Sequence, residues 1–149
     1  MTVAPDAWDG YARTVVEIRR PEEGDLVVRP APRGVTGMWP WPTPEPVYVL
    51  TAWDPGDERP GPEVNRRRQA ALESELRPLV AAMWSAVGTD PVTGRREEGV
   101  AVRGPGEAEV LAVAARYGQD AVFVWTPGVW ATVSCRDRRR QAGGWVLSS

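Results

Sequence analysis

Four polar residues stand where chemistry or recognition can be built: Asp54, Asn65, Glu98 and Gln119. Glu98 opens the run Glu98-Gly99-Val100-Ala101-Val102, and the two-residue period of a strand puts it on the face of Val100 and Val102. A carboxylate at a core margin needs a partner. Unpaired, it is a general acid/base or a ligand-binding carboxylate with a raised pKa. Paired with an arginine of the Arg66-Arg67-Arg68 run, it is a structural ion pair, and that partner is the discriminating feature. Asp54 ends an apolar run, and Asn65 falls in the first turn of the helix expected after it. Unpaired N–H groups collect where strand ends face helix N-termini, which makes both candidate ligand-binding residues. Both types equally suit a plain turn and a polar first turn. Gln119 follows Gly118, a helix stop, and is placed to meet Asp54 or to satisfy backbone groups.

The chain offers these groups little help from other residue types. Its 149 residues contain no histidine and no lysine, so all 18 basic residues are arginine. That removes Ser-His-Asp and Cys-His catalysis, His-ligated zinc, Schiff-base chemistry and the Walker lysine from what this chain can supply. One cysteine allows no internal disulfide, and Cys135, alternating with Val133 and Ala131, is expected to be an inert packed thiol. A metal would have to rely on carboxylates such as Asp54, Asp57 and Glu58, whose spacing does not suit one, so neither metal nor cofactor is expected. Net charge is -2, which gives no global basic field for nucleic acid. The runs Arg66-Arg67-Arg68 and Arg138-Arg139-Arg140 keep that reading open, but Glu58, Glu63, Glu73 and Glu75 beside the first favour a salt-bridged face. No stretch approaches the ~18 apolar residues of a membrane helix, and Met1 to Gly10 lacks the pattern of a signal peptide. The expected location is cytoplasmic.

The elements that must position these residues follow from turn chemistry and periodicity. Thr14 to Ile18 and Asp25 to Arg29, flanking Pro21-Glu22-Glu23-Gly24, predict a β-hairpin that adds to the main sheet. Met38 to Pro46, with proline at every second position from Pro40, predicts a stiff extended strap that Trp39 and Trp41 clamp to the domain. Val47 to Trp53 predicts a central strand. Pro62 begins a helix to about Arg77, with Val64, Ala71, Leu72, Leu76 and Leu79 as its apolar stripe. Short strands follow around Met83 to Val87 and Glu98 to Arg103. A second helix, capped by Gly104 and begun by Pro105, ends at Gly118. Ala121 to Trp125 and Val129 to Cys135 form the last hairpin. Trp53, Trp84 and Trp125 are expected in the core.

This order predicts an α+β fold: a mixed or antiparallel sheet with two helices on one face, around a ferredoxin-like split β-α-β core. Residues 1–46 form the hairpin and strap, 47–135 the core, and 136–149 a basic tail that frays.

Five segments in order carry a resemblance. They are Thr51-Ala52-Trp53-Asp54-Pro55, Asn65 with its helix, Ala86-Val87-Gly88-Thr89-Asp90-Pro91, Glu97-Glu98-Gly99-Val100-Ala101-Val102 and Arg116-Tyr117-Gly118-Gln119-Asp120-Ala121-Val122-Phe123. From about Val47 to Val124 the chain resembles the bacterial domain-of-unknown-function family 3293, with Asp54 where that family's motif has asparagine. The resemblance implies a small soluble bacterial domain and points to Asp54, Asn65, Glu98 and Gln119, without an activity to carry over. Three functions stay open. The first is a binding or regulatory module for a small polar ligand or a protein partner. The second is a small carboxylate-dependent hydrolase or transferase using Glu98, and the third is nucleic-acid binding through the arginine runs.

Overall fold

The computed structural model describes residues 5–56 and 58–148; residues 1–4 of the expected N-terminal arm, and Asp57, lie outside them. Helix α1 (Pro5–Arg13) leads into β1 (Val15–Ile18) and β2 (Leu26–Ala31), which pair antiparallel as the expected hairpin. After the proline strap come β3 (Val47–Leu50), α2 (Pro62–Leu76) with a 3-10 turn at Arg77–Leu79, β4 (Ala82–Thr89) and β5 (Arg96–Arg103). Helix α3 (Glu107–Arg116) and strands β6 (Ala121–Thr126), β7 (Val129–Ser134) and β8 (Arg140–Ser148) complete the chain.

The strands close into an antiparallel barrel in the order β1-β2-β8-β7-β6-β3-β5-β4. This corrects the expected ferredoxin-like α+β sheet. Two long-range pairings make the difference: β1 pairs with β4, Val15 opposite Thr89, and β8 fills the space between β2 and β7. An open sheet would leave β4 and β7 as edges with unpaired N–H and C=O groups. The hairpin and the supposed tail are the segments that pair those edges. From Arg140 onward the basic tail is therefore a barrel strand, not a fraying end.

Strand β3 is buried on both sides because it separates two cores. Tyr48 and Leu50 face outward, under Leu72 and Leu76 of α2 and Val110, Leu111 and Ala114 of α3, so both helices cover one side of the barrel. Val47 and Val49 face the barrel interior with Val16, Ile18, Val28, Ala86 and Ala101. An eight-stranded barrel leaves a lumen that side chains can just fill. Here tryptophans fill it: Trp41, Trp125, Trp130 and Trp145 are all buried, and Trp39 and Trp84 pack beside them.

The strap plugs one end of the barrel. Trp41 stacks 5.8 Å from Trp125 and 6.0 Å from Trp84, and Trp39 lies 5.8 Å from Trp145. Buried Arg20 ties the β1–β2 turn to the strap, donating to the Gly24 carbonyl at 2.9 Å and the Pro40 carbonyl at 3.1 Å. Helix α1 covers the opposite end. Tyr11 meets Phe123 edge-on at 6.3 Å, and Arg13 grips Asp90 through two hydrogen bonds of 2.7 and 2.8 Å.

Some local expectations shift. The buried stripe of α2 is Asn65, Gln69, Leu72 and Leu76, while Ala71 is exposed and Val64 only half-buried. Apolar periodicity missed this face because its first turns bury amides. Helix α3 starts at Glu107, capped by Gly106, whose N–H donates to Glu109 at 3.1 Å. Trp125 is core, but Trp53 and Trp84 are half-buried.

Candidate functional site

Three of the four predicted residues meet at the loop that follows β3. Asn65 and Asp54 exchange hydrogen bonds: the Asp54 amide donates to Asn65 Oδ1 at 2.9 Å, and Asn65 Nδ2 donates to Asp54 Oδ1 at 2.8 Å. Gln119 Nε2 donates to the Trp53 carbonyl at 3.1 Å, next door to the Asp54 contact predicted for it. Gln69, one helical turn after Asn65, accepts the Ala52 amide at 2.8 Å. Consecutive backbone groups of Ala52, Trp53 and Asp54 are thus held by side chains. The expected convergence is present, and its partners are the loop itself.

The loop's shape explains its residue types. Asp54 has φ 42, in the left-handed region where aspartate and asparagine are the commonest non-glycine residues. Aspartate and asparagine are therefore interchangeable there as far as the backbone is concerned. Gly118 has φ 72, and a Cβ on it would come within 2.7 Å of the Pro55 side chain, so only glycine lets the α3 stop close over this loop. Asn65 is 2% exposed, so its loss leaves the Asp54 amide without its partner. Asn65→Ala is expected to lower unfolding stability by about 1–3 kcal/mol, the cost of an unsatisfied buried group. Chemical denaturation checks this, and an unchanged midpoint would remove the loop-holding role.

The other oxygen of Asp54 faces cations. Oδ2 lies 3.6 Å from Arg95 Nη2 and 4.0 Å from Arg59 Nε. Arg95 also holds Glu97 at 2.8 Å. Glu97, which the sequence reading passed over, is the β5 carboxylate on the barrel side of the strand. Burial pushes its carboxyl up, Arg95 pulls it down, and Asp54 adds to the rise. Tyr11 lies close to the same group, and burial, followed by Asp120 and Glu97, holds its phenol above the ordinary range.

Glu98 points the other way, as its period with Val100 and Val102 requires. It stands at the helix side with its side chain 38% exposed, and Arg66 Nε lies 3.5 Å from Oε2. The arginine partner that marks the non-catalytic alternative is present. Other arginines in and beside the two runs also have partners. Arg68 lies 3.6 Å from Glu58, Arg136 3.1 Å from Asp120, and Arg140 pairs with Glu107. Arg139 sits 5.3 Å over the Trp8 ring. Burial pushes the Cys135 thiol up to about 12, with Asp120 adding to the rise, as an inert packed thiol requires.

Glu98 and the Trp53 loop border a groove of about 430 Å³ between α2 and the outer faces of β4 and β5. Arg19, Arg66, Arg77 and Arg96 line it, together with Trp53, Gln69, Glu73 and Glu98. Four guanidinium groups against two carboxylates give a local positive excess on a protein of net charge -2. Among the described residues Arg19, Arg77 and Arg96 form no ion pair. Sequence reasoning missed these three because they stand in three separate parts of the chain, after β1, in the turn after α2 and at the start of β5, and the only local signal was the Arg66-Arg67-Arg68 run. No helix among the described residues is long and apolar enough to cross a membrane.

Comparison with curated proteins gives no match. Comparison with solved structures gives none either. A family model does match, over residues 50–122, which span the Trp53 loop, α2, β4, β5 and α3, the elements that frame most of the groove. Over this segment the chain is similar to the family described as Protein of unknown function (DUF3293).

Proposed function

We propose that this protein is a binding module for a small anionic ligand, seated in the groove between α2 and β4–β5. The single observation that carries the reading is the convergence of Arg19, Arg66, Arg77 and Arg96 there with only Glu73 and Glu98 to balance them. Guanidinium stays charged at any working pH and offers paired donors that match phosphate and carboxylate oxygens. A volume of about 430 Å³ suits a metabolite-sized molecule. Trp53 adds an apolar ring face at the edge, and the Asp54–Asn65–Gln119 network holds the loop that presents it. On this reading the predicted polar residues are positioning residues, and the arginines make the contacts. The alternative hydrolase or transferase reading gains nothing from Glu98, whose carboxylate is engaged by Arg66.

The test is a thermal-shift screen of phosphorylated and carboxylated metabolites, followed by titration calorimetry. A ligand at ~100 times its Kd adds about 2.7 kcal/mol of stability and raises the melting temperature visibly. Replacing Arg77 and Arg96 together by alanine is expected to weaken binding at least tenfold, since a hydrogen bond to a charged group contributes about 1.5–3 kcal/mol. Both side chains are exposed, so the unliganded melting temperature should not move. A screen without a shift, or a hit whose affinity ignores both arginines, would falsify the reading.

A further inference from the structure

A second recess lies away from the groove, at the barrel end that α1 covers. It holds about 240 Å³ beneath Tyr11 and Ala12 of α1, against strands β2, β7 and β8. Trp130 forms one side of it. This ring ends an edge-to-face series in which Tyr11 meets Phe123 at 6.3 Å and Phe123 meets Trp130 at 5.1 Å. Gly143 stands opposite Trp130 on the neighbouring strand. A Cβ on Gly143 would meet only the Ala31 carbonyl oxygen within 4 Å, at 3.2 Å, so the glycine keeps the space beside the indole open.

The recess also holds a polar group in need of a partner. Thr132 is two residues along β7 from Trp130, on the same face, and is 4% exposed. Its hydroxyl opens onto the recess, with no hydrogen-bond partner among the described residues. Buried polar groups are ordinarily paired, and a hydroxyl can either donate to a ligand's polar atom or accept from it. Among the described residues no carboxylate lines the recess, and its one charged residue is Arg33, exposed at the rim. A cation therefore has nothing to pair with, and an anion gains little from a charge that water screens. An apolar cavity of about 150 Å³ holds benzene, so the larger recess takes a ring with one substituent. We infer that the recess is a second binding site, for a small uncharged aromatic molecule with one hydrogen-bonding group, of the phenol or indole class. It stands independently of the groove between α2 and β4–β5.

Proton–nitrogen NMR titrations with phenol, cyclohexanol, toluene and benzoate test the inference. Phenol is expected to shift the backbone amides of Trp130, Thr132 and Gly143 and to leave those of Ser85 and Glu98, in the groove, unmoved. Cyclohexanol keeps the hydroxyl without a π face, and should bind about threefold or more weakly. Thr132→Val should weaken phenol by about threefold to tenfold, as loss of one neutral hydrogen bond does, while toluene binding holds steady. Removing a buried hydroxyl that has no partner should not lower the unliganded melting temperature. Gly143→Val fills the space beside Trp130 and should abolish phenol binding; if that variant does not fold, Thr132→Val still decides. Equal affinities for phenol and cyclohexanol, or tighter binding of benzoate, would overturn the uncharged aromatic class. No shift at these amides with millimolar phenol would remove the site, and neither result touches the groove.

Discussion

Gly144→Ala is expected to destabilise the protein by about 3 kcal/mol or more, at the upper end of what overpacking costs. Gly144 lies in β8 against the turn that follows β2. A Cβ there would come within 1.9 Å of the Val35 carbonyl oxygen and 2.5 Å of the Pro32 carbonyl oxygen. Both obstacles are backbone, so no side-chain rotation relieves them. The turn must move, and it is fastened on both sides of the clash. The Trp145 amide donates to the Val35 carbonyl at 3.0 Å, and the Gly37 amide donates to the Trp145 carbonyl at 3.0 Å. Displacement breaks these bonds and loosens the path into the strap. Gly128→Ala is the control, because an added Cβ there meets nothing within 4 Å. Urea unfolding of the two variants side by side decides the matter, and equal midpoints would sink the account.

Trp41→Ala is expected to cost about 3–5 kcal/mol, the range for deleting a large buried aromatic ring. Trp41 is 6% exposed and touches Trp39, Trp84 and Trp125, so its removal opens the barrel end that the strap closes. Among the described residues its indole N–H has no hydrogen-bond partner, and the loss is therefore one of packing alone. Trp41→Phe keeps a ring in the stack and should retain most of the stability. Near-ultraviolet circular dichroism adds a second readout, since the tryptophan cluster should lose its fixed geometry in the alanine variant and keep it in the phenylalanine one. A Trp41→Ala protein within 1 kcal/mol of wild type would show that the strap merely lies on the surface, against the roughly 3 kcal/mol minimum expected.

What the sequence revealed was local. Pro21-Glu22-Glu23-Gly24 specifies its hairpin through turn chemistry, Pro62 marks the helix start, and Thr126-Pro127-Gly128 joins β6 to β7; each sits as read, except that β8 follows the hairpin expected to be last. Barrel closure depends instead on pairing β1 with β4 and β2 with β8, segments far apart in sequence with no local mark of their partner. The same blindness affected the carboxylates. The strand period correctly put Glu98 with Val100 and Val102, but β5 is buried on both faces, so hydrophobicity alone could not tell helix side from lumen side. A subtler signal was present. Ala86 and Ala101 are small residues facing a lumen crowded with tryptophan, and Ala101 shares its face with Glu97. Asp54, Asn65 and Gln119 were legible as a cluster because each sits at an element boundary, where turn and capping chemistry is strongest. Their role was not, since an amide that binds a ligand and one that holds a loop look alike in sequence.

Pro30 sits inside β2, opposite Trp145 of β8, although proline normally avoids the interior of a sheet. The pairing explains why it is tolerated: Trp145 turns its amide to Val35 and its carbonyl to Gly37, so this pair exchanges no ladder bond and the missing N–H costs β8 nothing. The nine residues of β8 emerge after all the others described, and at ordinary elongation rates they take about a second to appear. Throughout that interval β2 and β7 are both unpaired borders, next to tryptophans that have not yet been enclosed. Exposed Arg29 on β2 puts a charge there, a device that discourages pairing with the wrong chain. The nascent protein therefore carries a charge on one lip of the gap that waits for β8.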